Sequence, residues 1–183
     1  MKVQATPLAG LMLVETAPVR DQRGEFVRVF CETECVGLRP DLHWTQINLS
    51  RTLHKGSVRG MHFQSPPAAE AKLIRCIRGS VFDVAVDLRA GSPTFLRWHA
   101  VELDEKLPLQ YFIPEGFAHG FQALTDDVQL LYLHTVAWSP DHESGIRHDD
   151  STLSITWPLP VTQVSDKDRK LPLLTPAFAG ISL

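Results

Sequence analysis

The side chains able to move a proton are scattered along this sequence instead of gathered in one short motif. Eight histidines occur: His43, His54, His62, His99, His119, His134, His142 and His148. None lies in an H-x-H or H-E-x-x-H spacing, so local sequence assembles no set of three metal ligands. An imidazole is half-poised for proton transfer near neutral pH, which makes His62 on a short strand a candidate base; a satisfied core histidine is the alternative. Arg23, Arg59 and Lys72 are cations at strand starts or turns. Each alone is ordinarily a solvated surface charge, whereas together they suit a diphosphate or a developing oxyanion. Tyr132 sits in the apolar run Gln129–Leu133, where its hydroxyl needs a partner whether it packs or donates a proton. No G-x-S-x-G elbow occurs, and Arg59-Gly60-Met61 and Arg78-Gly79-Ser80 carry isolated glycines instead of a phosphate loop.

These groups need a frame, and composition narrows it. The 183 residues are 44% hydrophobic and 21% charged, which suits one folded domain and excludes a disordered chain. A formal net charge of −3 offers no basic field for nucleic acid. With 13 prolines and 11 glycines, long helices have little room and many short strands are expected. The turn Asp21-Gln22-Arg23-Gly24 followed by Phe26–Phe30 predicts a hairpin, and Glu32–Gly37 a short helix. Strands are expected over Trp44–Ser50, Ser57–Gln64, Lys72–Ile77, Ser80–Leu88, Phe95–Leu103, Gln110–Ile113, Gly120–Ala123, Gln129–Val136 and Ser154–Trp157, the pattern of a sandwich or barrel.

Alternation along those strands separates their faces. Phe82, Val84, Val86 and Leu88 share an apolar face. Gln46, Asn48 and Ser50 share a polar one, as do His62 with Gln64 and Tyr132 with His134. Such polar faces either meet solvent or line a barrel interior that holds a polar ligand. Three irregularly placed cysteines (Cys31, Cys35 and Cys76) imply reduced thiols, and with no signal-like segment the cytoplasm is expected. No run of about 18 apolar residues is present to span a membrane.

The segment Pro114-Glu115-Gly116-Phe117-Ala118-His119 resembles the second cupin motif, P-x-G-x-x-H. The first motif needs H-x-H before a Glu, but here His62-Phe63-Gln64 precedes Glu70, and Ala123 stands where Asn is usual. That resemblance implies a double-stranded β-helix with an incomplete metal site, so no metal is expected.

Seven segments in order then resemble the dTDP-4-dehydrorhamnose 3,5-epimerase family, cupin-fold enzymes of deoxysugar biosynthesis. They are Asp21–Phe26, Gln46–Ser50, Gly56–Gln64, Lys72–Phe95, Ile113–Phe121, the Tyr132 strand and Val164–Asp168. The resemblance implies an all-β jelly-roll barrel with an N-terminal hairpin arm (1–40), a barrel (41–160) and a C-terminal segment with a short helix (161–183). It also implies a homodimer that exchanges its N-terminal arms, no cofactor, and a nucleoside-diphosphate 4-keto-6-deoxyhexose as substrate. By the same resemblance His62 is the base, Asp168 its orienting carboxylate, Lys72 the enolate stabiliser and Tyr132 the opposite-face acid. Arg23, Phe26, Arg28, Gln46, Asn48, Arg59, His119 and Trp138 would hold the substrate.

Two departures bear on specificity. Arg28 stands where the family pattern has a Glu that accepts from thymine N3–H; a guanidinium only donates, so a CDP-sugar is an alternative nucleotide. Trp138 stands where a second tyrosine is usual, which makes epimerisation at one carbon an alternative to two. A sugar-nucleotide-binding cupin without activity is a further alternative, although it would have no need to combine His62, Lys72, Tyr132 and Asp168.

Overall fold

The computed structural model describes residues 1–35 and 37–183. Its frame is two antiparallel sheets facing each other across a lumen. The larger sheet has the order β1 (Lys2–Ala5), β2 (Met12–Glu15), β10 (Leu109–Ile113), β7 (Lys72–Arg78), β12 (Val128–His134), β5 (Gln46–Thr52). The smaller runs β13 (Glu143–Gly145), β6 (Val58–Gln64), β11 (Phe117–Ala123), β8 (Ser80–Asp87), β9 (Trp98–Asp104). The two sheets form an open jelly roll rather than a continuously hydrogen-bonded barrel.

Strand alternation places three apolar layers. Between the sheets, Ile74, Cys76, Tyr111, Ile113, Phe117, Phe121, Val128 and Leu130 fill one end of the lumen. The expected apolar face of β8 (Phe82, Val84, Val86, Leu88) lies outside the smaller sheet, covered by Ile146, Leu153, Trp157, Phe178 and Ile181. Both faces of β8 are therefore buried, and its other face turns Asp83 into the lumen, 0% exposed. A third layer outside the larger sheet packs Leu73, Phe112 and Leu133 beneath Cys35, Leu38, Leu42 and Trp44.

Several elements differ from expectation. Residues 1–15 are not all arm, because β1 and β2 pair into the larger sheet through β10. What stands off is the hairpin β3 (Val19–Asp21) and β4 (Gly24–Phe26), with Gly24 supplying a φ of +132° after the turn. The helix α1 covers Glu32–Cys35; the expected helix also took in Val36, which lies outside the described residues. Ser154–Trp157 is no strand: Trp157 packs edge-on against Phe82 and donates its indole N–H to the His148 carbonyl, so its alternating pattern reflects loop packing. At the C-terminal end, α2 (Asp166–Arg169) is capped by Ser165, whose Oγ accepts from the Asp168 N–H.

Candidate active site

A cavity of about 210 Å³ occupies the polar end of the lumen. One wall comes from the smaller sheet, with His62 on β6 and His119 on β11; the other comes from the larger sheet, with Asn48 on β5, Lys72 on β7 and Tyr132 and His134 on β12. An open trough of about 800 Å³ adjoins it, sharing Arg59 and His62 and continuing past Arg51, His54, Ser165, Lys167 and Arg169. A small polar cavity opening into a larger cationic trough suits a sugar attached to a diphosphate.

Strict alternation would send Arg59 and His62 to opposite faces, yet both reach the site. The reason is a slip in the β6–β11 pairing: His119 faces His62, whereas Phe121 faces Arg59. The extra residue in β6 makes a bulge, and a bulge re-aims the side chains on either side of it. Gly60 in this bulge has a φ of +117°, and a Cβ there would stand 2.6 Å from Gly120 Cα, so no larger residue fits.

His62 Nε2 lies 2.8 Å from Asp168 Oδ1. The other carboxylate oxygen accepts from the Gly60 N–H at 3.1 Å, so α2 and the bulge together fix the carboxylate. Burial pushes Asp168 upward, but bonds from His62, Gly60 and Ser165 outweigh it and hold the carboxyl below its usual range. An Asp168 carboxylate keeps the proton of His62 on Nε2 and leaves Nδ1 as the basic nitrogen. The His62 side chain is 32% exposed, at the junction of cavity and trough.

A second pair, His119 Nε2 to Asp83 Oδ1 at 2.9 Å, is only 7% and 0% exposed. Burial lowers the His119 pKa despite the neighbouring carboxylate, so this imidazole is neutral at neutral pH. Tyr132 packs edge-on against His119 with ring centroids 5.9 Å apart, and burial raises its pKa. Its phenol is therefore protonated and able to donate. Lys72 Nζ bonds the His62 carbonyl at 3.4 Å and pairs with Glu70 at 3.2 Å. Glu70 also receives His134 Nδ1 at 2.7 Å. Burial raises Glu70, but His134 and Lys72 outweigh it and keep it ionised.

The structure thus brings His62, Asp168, Lys72, Tyr132, Asn48, Arg59 and His119 together, with Trp138 at the cavity edge. It does not bring the hairpin residues to this site within one chain. Arg23 is 90% exposed and bonded to Asp21, Phe26 is 75% exposed, and Arg28 is paired with Glu34. Gln46 is not a lining residue; its Oε1 accepts from the Trp138 N–H at 3.1 Å and anchors the loop carrying that indole.

Sequence reasoning passed over Asp83, Glu143 and Lys167, and met Glu70 only as the carboxylate downstream of His62-Phe63-Gln64. Glu143 lines the cavity and pairs with Lys167 of the trough at 2.7 Å. Lys167 carried a local signal as the neighbour of Asp168 in Val164–Asp168, and Asp83 lay inside the matching segment Lys72–Phe95, where nothing marked it as a site residue. Among the described residues no three His, Cys, Asp or Glu side chains are grouped to hold a metal ion, and no helix is long and apolar enough to cross a membrane.

Comparison with known proteins places this geometry. The family profile described as dTDP-4-dehydrorhamnose 3,5-epimerase matches residues 5–176. The chain is 41% identical to a dTDP-4-dehydrorhamnose 3,5-epimerase of Sinorhizobium fredii, covering 95% of this chain and 90% of that protein. It is 37% identical to a dTDP-4-dehydrorhamnose 3-epimerase of Streptomyces niveus over 97% of this chain and 86% of that one. The crystal structure of the 3,5-epimerase from Bacillus anthracis, with TDP and PPi bound, superposes with a TM-score of 0.91 at 38% identity, covering 94% and 99% of the two chains.

Proposed function

The chain belongs to the dTDP-4-dehydrorhamnose 3,5-epimerase family, and on that basis we propose that it epimerises a nucleoside-diphosphate 4-keto-6-deoxyhexose without a cofactor. The supporting observation is the placing of one cavity between two walls. His62, oriented by Asp168, stands on one, and Tyr132, held protonated, stands on the other.

Inverting a carbon needs a base on one face and an acid on the other, since a single residue tends to return the proton to its starting face. His62 Nδ1 takes the proton next to the C4 ketone and Tyr132 delivers one from the opposite side. The electron pair released goes to the ketone oxygen, where the Lys72 ammonium stabilises it. Because the ketone acidifies hydrogens at both C3 and C5, one cation serves either centre. His119 and Asn48 bond sugar hydroxyls, and Arg59 takes the diphosphate along the trough.

The nucleotide in this reading is dTDP, supported by the TDP bound to the Bacillus anthracis relative. Arg28 would donate to a base carbonyl once released from Glu34. Calorimetric titration should show dTDP binding more tightly than CDP; the reverse order would replace thymine by cytosine. The expected reaction is double epimerisation. A single-centre reaction is the second reading, favoured by the indole of Trp138 at the cavity and by the 37% identity to a 3-epimerase. Incubating the protein with dTDP-4-keto-6-deoxyglucose in D2O tests both, because label at C3 and C5 supports the first, label at one carbon the second, and none refutes both.

The assembly proposed is a homodimer whose hairpin arms enter each other's troughs. Val19 (70% exposed) and Phe26 on the hairpin, with Ile47 and Leu49 (64% and 61%) on edge strand β5, are apolar groups in need of cover. Light scattering should give twice the chain mass, and Arg23→Ala should weaken dTDP binding. The unpaired cysteines and a nucleotide-linked substrate fit the cytoplasm.

A further inference from the structure

The Tyr132 wall carries another titratable group. His134 is two residues along the same strand, faces the same cavity, and stacks on Tyr132 with ring centroids 5.9 Å apart and planes 19° apart. Its Nδ1 is tied to Glu70 at 2.7 Å, and Glu70 is held in turn by Lys72 at 3.2 Å. This couple repeats on the acid wall the arrangement that His62 and Asp168 make on the base wall. The remaining nitrogen, Nε2, meets the Asn48 amide at 3.4 Å. An amide turns either its NH2 or its oxygen toward a neighbour, so Asn48 accommodates Nε2 with or without a proton.

We propose that His134, anchored by Glu70, is a second proton donor on the Tyr132 wall, so that two side chains can reprotonate the enolate opposite His62. This inference rests on the epimerase reading above. In the step, a carbon–hydrogen bond breaks toward His62 and a new one forms from Nε2–H of the protonated His134. His62 then releases its proton to water while His134 takes one up, and the sugar keeps its formula. Of the charged and titratable groups around His134, Glu70 and Lys72 come from the β6–β7 connection and β7, Tyr132 from its own strand and His62 from the facing sheet. Glu70 is its direct ionic partner.

The test compares Tyr132→Phe, His134→Asn and the double variant on dTDP-4-keto-6-deoxyglucose in D2O. Asn retains a donor toward Glu70 but cannot transfer a proton. The inference predicts that Tyr132→Phe keeps residual epimerised product, that His134→Asn lowers product at least about 10-fold, within the range of one acid–base group, and that the double variant forms none. In His134→Asn, deuterium uptake into the substrate through His62 and dTDP affinity stay within two-fold of the unaltered protein. Product within two-fold in His134→Asn, or a parallel fall of product, exchange and binding, overturns it. His134→Gln, measured alongside, applies the same criteria if the Asn variant fails to fold. Failure of the epimerase reading is separate, since it shows as absence of exchange by the unaltered protein.

Discussion

The junction of cavity and trough and the floor of the cavity hold the same pair of chemical groups, an imidazole and a carboxylate, in opposite surroundings. At the junction, His62 is partly exposed, and Asp168 is satisfied on both oxygens by His62 and the Gly60 N–H. On the floor, His119 and Asp83 are sealed, and Asp83 Oδ2 has no hydrogen-bonding partner among the described residues. Access to water and ligand, more than the pairing itself, decides what an imidazole can do. The open couple can take a proton from a substrate and pass it on. In the closed one the imidazole stays neutral and works as a fixed hydrogen-bonding group.

The largest expected contrast follows from that difference. His62→Asn should lower turnover by about 10³-fold, within the span of a general base, while His119→Gln should raise KM with a loss in kcat of only about 10-fold. Steady-state kinetics on both variants checks this, and equal losses would erase the distinction between the two regions. Next in size, Lys72→Met removes the cation proposed to meet the enolate and should cost about 10²–10³ in kcat. A change confined to KM would make Lys72 a ground-state ligand instead.

Stability should show the reverse ranking. Asp83→Ala strips the partner from a sealed imidazole and should cost about 1–3 kcal/mol, read by denaturant unfolding. Asp168→Ala, at the more open couple, should cost less. The smallest effect concerns acid. A buried histidine whose folded pKa lies below its unfolded value leaves the unfolded state holding more protons, so stability falls as pH drops below about 6.5 toward the folded value. His119, His99 and His148 are all lowered by burial. Unfolding free energies between pH 7 and 5 should therefore fall more steeply in the unaltered protein than in His119→Gln, which lacks one of these three contributions.

The strands flanking the site were largely legible, because lumen and outer faces alternate and the turns are marked by glycine and proline. The shared face of Tyr132 and His134 followed from alternation alone. Three things were hidden for physical reasons. Asp83 lies on a strand buried on both faces, where an apolar run on one side says nothing of a charge on the other. Arg59 and His62 meet only through a bulge, which breaks the period of two on which the reading depends. The pairings of Glu70 with His134 and of Asp168 with His62 join segments at sequence distances no local pattern spans, 64 and 106 residues. The assignment of Asp168 came from resemblance, and its distance from His62 gives that assignment a physical basis. The hairpin was visible in Asp21-Gln22-Arg23-Gly24, whereas the pairing of the residues before it with β10 carried no local mark.

In the proposed reaction His62 removes the proton next to a ketone. The decisive measurement follows the substrate's C3 and C5 protons by NMR in D2O with unaltered protein and His62→Asn, both confirmed to bind dTDP. Rapid deuterium incorporation is expected with the unaltered protein, and a drop of at least about 10²-fold in His62→Asn. Incorporation at an undiminished rate in His62→Asn would contradict it.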